Sequence, residues 1–171
     1  STITSLTLAG GGASGATTTA TLSMDGTSNV NVSTINAASL ESDLDINGLT
    51  TAAGTAITLN ATGQKLTIGN ADAGRDALDV TGGAGADTIA VAAIGGSAGV
   101  LSVFVGSSGV ESLNVGLVDD GGAGAAFTVD AADMTGLTTV NVTVTDGAGA
   151  AGEHDEGFAI QNLASGTTVT F

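Results

Sequence analysis

The residues best suited to chemistry in this chain lie between positions 69 and 90. Residues 82–90 read Gly-Gly-Ala-Gly-Ala-Asp-Thr-Ile-Ala, which fits the repeat G-G-x-G-x-D-x-U-x, where U is a large apolar residue. Gly82, Gly83 and Gly85 let the backbone bend tightly and aim carbonyl oxygens inward. Asp87 adds a carboxylate, and Ile89 points into the core. Calcium, a hard cation, takes about 6–8 oxygen ligands of this carbonyl and carboxylate kind. Upstream, Gly74-Arg75-Asp76-Ala77-Leu78 matches Gly85-Ala86-Asp87-Thr88-Ile89 position for position, with Asp72 and Asp79 nearby. Asp76 and Asp87 stand further apart than one nonapeptide, so they need not share an ion, and Arg75 competes for Asp76. The alternative is two ordinary turns with solvated aspartates.

A degenerate copy, Gly121-Gly122-Ala123-Gly124-Ala125-Ala126-Phe127, keeps the glycines but has Ala126 where the carboxylate belongs. Asp119 and Asp120, just before it, are candidates to replace the missing ligand, or are plain turn residues. The run from Asp146 to Glu156 reads as an acidic loop. It contains His154, the only histidine, with no second His or Cys to complete a transition-metal site. No G-x-S-x-G motif is present, and the chain has no Trp or Tyr to line a sugar cleft. No catalytic constellation emerges, and the expectation is a protein that is not an enzyme.

The elements that must hold these residues are short strands. Segments such as Ile3–Leu8, Ala56–Leu59, Lys65–Ile68, Ala77–Val80, Thr88–Val91, Leu101–Val105 and Val140–Val144 alternate apolar and polar residues with period two. Gly, Asn, Asp and Ser clusters separate them, and proline is absent. Asn36-Ala37-Ala38-Ser39-Leu40-Glu41 and Asp130-Ala131-Ala132-Asp133-Met134 read as short helical turns between strands. Together with Val110-Glu111-Ser112-Leu113-Asn114-Val115 they outline a degenerate internal repeat. Short strands and internal repetition predict an all-β fold, a parallel β-solenoid or β-roll-like stack, with a β-sandwich as the alternative. One β-rich domain over 1–171 is the simplest organisation; a subdivision near residue 62, into 1–62 and 63–171, is the other.

Composition narrows the function. Acidic residues number 17 and basic residues 2, a net charge of -15. Nucleic acid is excluded as a partner, because phosphate binding needs clustered Lys and Arg. Adsorption on anionic membranes is disfavoured for the same reason, and no apolar stretch is long enough for a membrane-spanning helix. Hydrophobic residues make up 42% and mean hydropathy is +0.40, which argues against disorder. The 28 glycines raise the entropy of ordering, which calcium bound only by the folded state would offset. With no cysteine there is no disulfide framework. A start at Ser1 with no signal-like segment suggests a processed chain or an excised fragment. Thr-x-Thr pairs, as at Thr19/Thr21 and Thr168/Thr170, suit a flat ice-binding array, but they recur at no fixed period and read as outward strand positions.

The nonapeptide, the Asx-Ala-Ala turns, the Thr, Gly and Ala bias and the lack of Cys resemble RTX-type bacterial surface-layer (S-layer) proteins of the Caulobacter style. The resemblance implies export by type I secretion and a calcium-stabilised β-solenoid that assembles on the cell exterior. Carried over by position, Gly83 and Gly85 offer carbonyls and Asp87 its carboxylate, with Gly74 and Asp76 as equivalents. The expected function is a structural, self-assembling extracellular protein, an S-layer or matrix-fibre segment. Its partner is itself, with cell-surface polysaccharide as a further candidate. The alternatives are a repeat of a calcium-dependent adhesin or the non-catalytic tail of a secreted enzyme.

Overall fold

Alternating residues rich in Val, Ile and Thr favour extended backbone with side chains on opposite faces. The computed structural model describes residues 3–11, 18–23, 32–47, 55–68, 78–94, 106–119, 127–146 and 158–171. In chain order the strands are β1 (Ser5–Gly10), β2 (Thr19–Ser23), β3 (Thr34–Leu40), β4 (Asp43–Asn47), β5 (Thr55–Thr58), β6 (Lys65–Ile68), β7 (Leu78–Thr81) and β8 (Thr88–Ile94). They continue with β9 (Gly106–Ser108), β10 (Ser112–Asp119), β11 (Phe127–Asp130), β12 (Met134–Thr135), β13 (Thr139–Asp146), β14 (Phe158–Gln161) and β15 (Thr168–Thr170). There is no helix among the described residues. The expected strand at 101–105 lies outside them.

The strands sort into two main sheets. The first runs β1-β3-β5-β7-β9-β12 and the second β15-β13-β10-β8-β6-β4-β2, while β11 and β14 pair on their own. All pairings are parallel. A chain that crosses between sheets and pairs each strand with the one a coil later is a parallel β-solenoid, as expected from the sequence. A sandwich would be built from antiparallel pairs. Strands before and after residue 62 belong to the same two sheets. Coil length varies, from 22 residues between Leu44 and Leu66 to 31 between Phe127 and Phe158. That variation is why the repeat drifts in the sequence.

Parallel in-register pairing stacks like on like about 4.8 Å apart. In the second sheet Leu44, Leu66, Ile89, Leu113 and Val140 form one buried column, and Ile46, Ile68, Val91, Val115 and Val142 another. Facing them, the first sheet stacks Leu6, Ile35, Ile57, Val80, Ser107 and Met134. Each fully buried aliphatic side chain contributes about 1.5–3 kcal/mol. Ser107 interrupts the apolar column, and its buried hydroxyl has no hydrogen-bond partner.

Neither expected helical turn is a helix: the first lies within β3, where its register with β1 shifts, and the second is the corner between β11 and β12. Asn36 lies in β3, and its Oδ1 accepts the Ala38 N–H at 3.0 Å; Asp130 ends β11, and its Oδ1 accepts the Ala132 N–H at 3.0 Å. In each, a short Asx side chain captures the N–H two residues on, which a helix would have needed for itself.

Candidate functional site

The nonapeptide forms the corner between β7 and β8. Asp87, one residue before β8, is 0% exposed. Its Oδ1 accepts the Gln64 N–H at 2.7 Å and its Oδ2 accepts the Gly83 N–H at 2.7 Å. Its own N–H donates to Glu111 Oε2 at 2.8 Å, and its carbonyl accepts the N–H groups of Glu111 and Ser112 at 3.2 and 3.1 Å. One aspartate thus joins the coil before it, its own corner and the coil after it.

Asp87 is one member of a column. The residues immediately before the second-sheet strands β4, β6, β8, β10, β13 and β15 are Ser42, Gln64, Asp87, Glu111, Thr138 and Thr167. Gln64 Nε2 donates to the Ser42 carbonyl at 2.5 Å, and Gln64 Oε1 accepts the Asn60 N–H at 3.1 Å. Asn60 in turn donates from Nδ2 to the Leu40 carbonyl at 2.6 Å. Further along, Thr138 Oγ1 donates to the Glu111 carbonyl at 3.1 Å, and Thr167 Oγ1 to the Leu137 carbonyl at 3.2 Å. Corner side chains of one coil satisfy the backbone of the next, where an unpaired buried amide or carbonyl would cost about 1–3 kcal/mol.

The glycines have a related reason. Gly82, Gly83 and Gly85 are not among the positive-φ residues, which include Gly63, Gly109 and Gly136. A Cβ at Gly82 would overlap the Gly109 carbonyl, one at Gly83 the Asn60 carbonyl, and one at Gly85 the Gly63 amide nitrogen. These positions are glycine because neighbouring coils press against them, rather than because the backbone there needs a left-handed bend.

Burial pushes the Asp87 carboxyl above its usual 3.8, against the pull of the Gln64 and Gly83 N–H groups, and the neighbouring Glu111 charge pushes the same way. Asp130, by contrast, is held below that value by the Asn162 amide and the Ala132 N–H.

Calcium needs several oxygens converging on one point. At Asp87, two N–H donors point at the buried carboxylate, which in the described surroundings acts as a hydrogen-bond acceptor. Asp79 is exposed on β7, and Asp119 ends β10. Asp72, Gly74, Asp76 and Asp120 lie outside the described residues, as do His154 and the acidic run up to Glu156. Among the described residues no group of three or more His, Asp or Glu side chains converges. No family model, curated protein or solved structure matches this chain.

Sequence reasoning missed Gln64, Asn60 and Glu111. The signal was present as a five-residue rung, two polar positions followed by apolar, polar or small, and apolar. It reads Ser42-Asp43-Leu44-Asp45-Ile46, Gln64-Lys65-Leu66-Thr67-Ile68, Asp87-Thr88-Ile89-Ala90-Val91 and Glu111-Ser112-Leu113-Asn114-Val115. Uneven coil lengths hid it.

Proposed function

We propose that this chain is a structural, self-assembling part of an extracellular layer or fibre, with calcium held by its acidic residues. The corner column carries the reading. Each coil is completed by its neighbours, so the architecture is a rod extended by repeating one rung. Calcium enters on charge alone: 17 acidic residues face only 2 basic ones, so internal ion pairs cannot balance them. A divalent cation that binds only the assembled or folded form stabilises that form by mass action.

The test is direct. The purified chain is followed by light scattering and negative-stain electron microscopy at rising concentration, with calcium and with chelator. Ordered sheets or fibres in calcium are expected. A monodisperse monomer under both conditions would overturn the proposal.

A further inference from the structure

The two end strands of the second sheet are near-copies of each other. Thr167-Thr168-Val169-Thr170-Phe171 runs through β15, and Thr18-Thr19-Ala20-Thr21-Leu22 runs through β2. Three positions are identical, and the other two exchange one apolar residue for another. The register makes them equivalent rungs, since Val140 pairs with Val169 at one end and Ala20 with Leu44 at the other. Neither strand carries a charged side chain, in a chain of net charge -15; of the interior strands, β4 and β6 carry Asp43, Asp45 and Lys65, and β8 carries none. Charge is the usual device that keeps sheet edges apart. Ala20, Leu22 and Val169 are only partly buried, and Phe171, next in line after Val142, is 85% exposed.

The hydrogen bonds also have a direction. At five corners the first residue of a second-sheet strand donates to the carbonyl before the preceding strand: Asp43 N to Thr18 O at 3.0 Å, Thr88 N to Gln64 O at 3.0 Å, Ser112 N to Asp87 O at 3.1 Å, Thr139 N to Glu111 O at 3.0 Å and Thr168 N to Thr138 O at 2.9 Å, while at β6 Lys65 N donates to Asp43 Oδ1 instead. By that pattern the next acceptor at one end is the Thr167 carbonyl, and the next donor at the other end is the Thr19 N–H.

We propose that β15 of one copy pairs in parallel with β2 of a second copy, continuing the sheet with Val169 on Ala20 and Phe171 on Leu22. The inference rests on the self-assembly reading and names its interface. Such a contact is head-to-tail, with a different surface on each partner, and so it propagates into a filament rather than closing as a dimer.

Two variants test it. Thr19→Pro removes the outward donor at an edge, where proline is tolerated. Phe171→Asp places a charge on the opposite end at an exposed side chain. Circular dichroism checks that each variant keeps its β signal. Analytical ultracentrifugation of the 171-residue chain is expected to show filaments for the wild type and loss of every species above the monomer for each variant alone. An equimolar mixture of the two variants should give dimers and nothing larger, through the one pair of intact ends. A mixture that stays monomeric, or variants that assemble like the wild type, overturns this interface while leaving self-assembly standing. A wild type that stays monomeric overturns both.

Discussion

Replacing Asp87 by Asn keeps one acceptor oxygen but turns an amide N–H toward a backbone N–H, of Gln64 or of Gly83. One hydrogen bond is lost in a buried site, and a destabilisation of about 1–3 kcal/mol is expected by chemical denaturation. The pH dependence of that loss has a definite sign. Because the folded-state carboxyl titrates above its usual 3.8, the folded protein holds the proton more tightly than the unfolded chain does. The stability Asp87 gains from protonation is complete below the unfolded value and lost as pH rises through the folded one. The penalty of Asp87→Asn should therefore be largest in acid and shrink toward neutrality; a penalty that grows with pH would contradict the burial argument. Ser107 is the opposite case, a buried hydroxyl without a partner between Val80 and Met134. Ser107→Val should raise stability by about 1–2 kcal/mol, since it removes an unsatisfied polar group and adds a β-branched residue to a strand. An unchanged or lower denaturation midpoint would mean the site cannot take the extra methyl group. At this scale the sequence was only half readable. Asp87 stood out within its nonapeptide, but its partners Gln64 and Glu111 are 23 and 24 residues away, and nothing local marks them.

The strands were legible because alternation is a local signal: Lys65–Ile68 and Thr88–Val91 were readable directly as β6 and the start of β8. The Asx-Ala-Ala segments were not. In Asn36-Ala37-Ala38 and Asp130-Ala131-Ala132 the alanines suggest helix, yet the Asx oxygen takes the Ala38 or Ala132 N–H, while Ala37 and Ala131 are buried in the core. Tertiary packing overrides helix propensity there. The glycines of the nonapeptide were legible as glycines but not for their reason, which is contact with the coils on either side. That reason carries a prediction. Gly83→Ala would push a methyl group into the Asn60 carbonyl, and Asn60 is itself tied to Leu40. The coils must separate locally, at a cost of about 1–3 kcal/mol. Gly166→Ala meets no atom within 4 Å but has φ +93, so its strain is confined to its own backbone. Amide hydrogen exchange separates the two: Gly83→Ala should loosen Gln64 and Asn60 in the neighbouring coil, and Gly166→Ala should leave them protected.

For the whole molecule the governing quantity is a net charge of -15 on a rod whose coils touch only their neighbours. Like charges along such a rod repel, and ordinary salt relieves this by screening over a distance of about 10 Å at 0.1 M. Screening alone predicts that sodium and calcium salts at equal ionic strength raise the unfolding midpoint to a similar degree. Bound calcium predicts something different. Stabilisation then grows with the logarithm of free calcium once the site is filled, at constant ionic strength, and chelator reverses it. The described carboxylates favour no single site, since Asp87 is committed to N–H donors and Asp79 is exposed. The stretches of sequence around Asp72, Asp76, Asp119 and Asp120 are where binding is expected. Replacing these four aspartates by Asn should abolish the calcium-specific part of the midpoint shift while keeping the salt-dependent part, whereas Asp87→Asn should lower the midpoint equally with and without calcium. Identical midpoints in matched sodium and calcium salts would remove calcium from the account. The solenoid, which stands on its apolar columns and corner hydrogen bonds, would be untouched by that result.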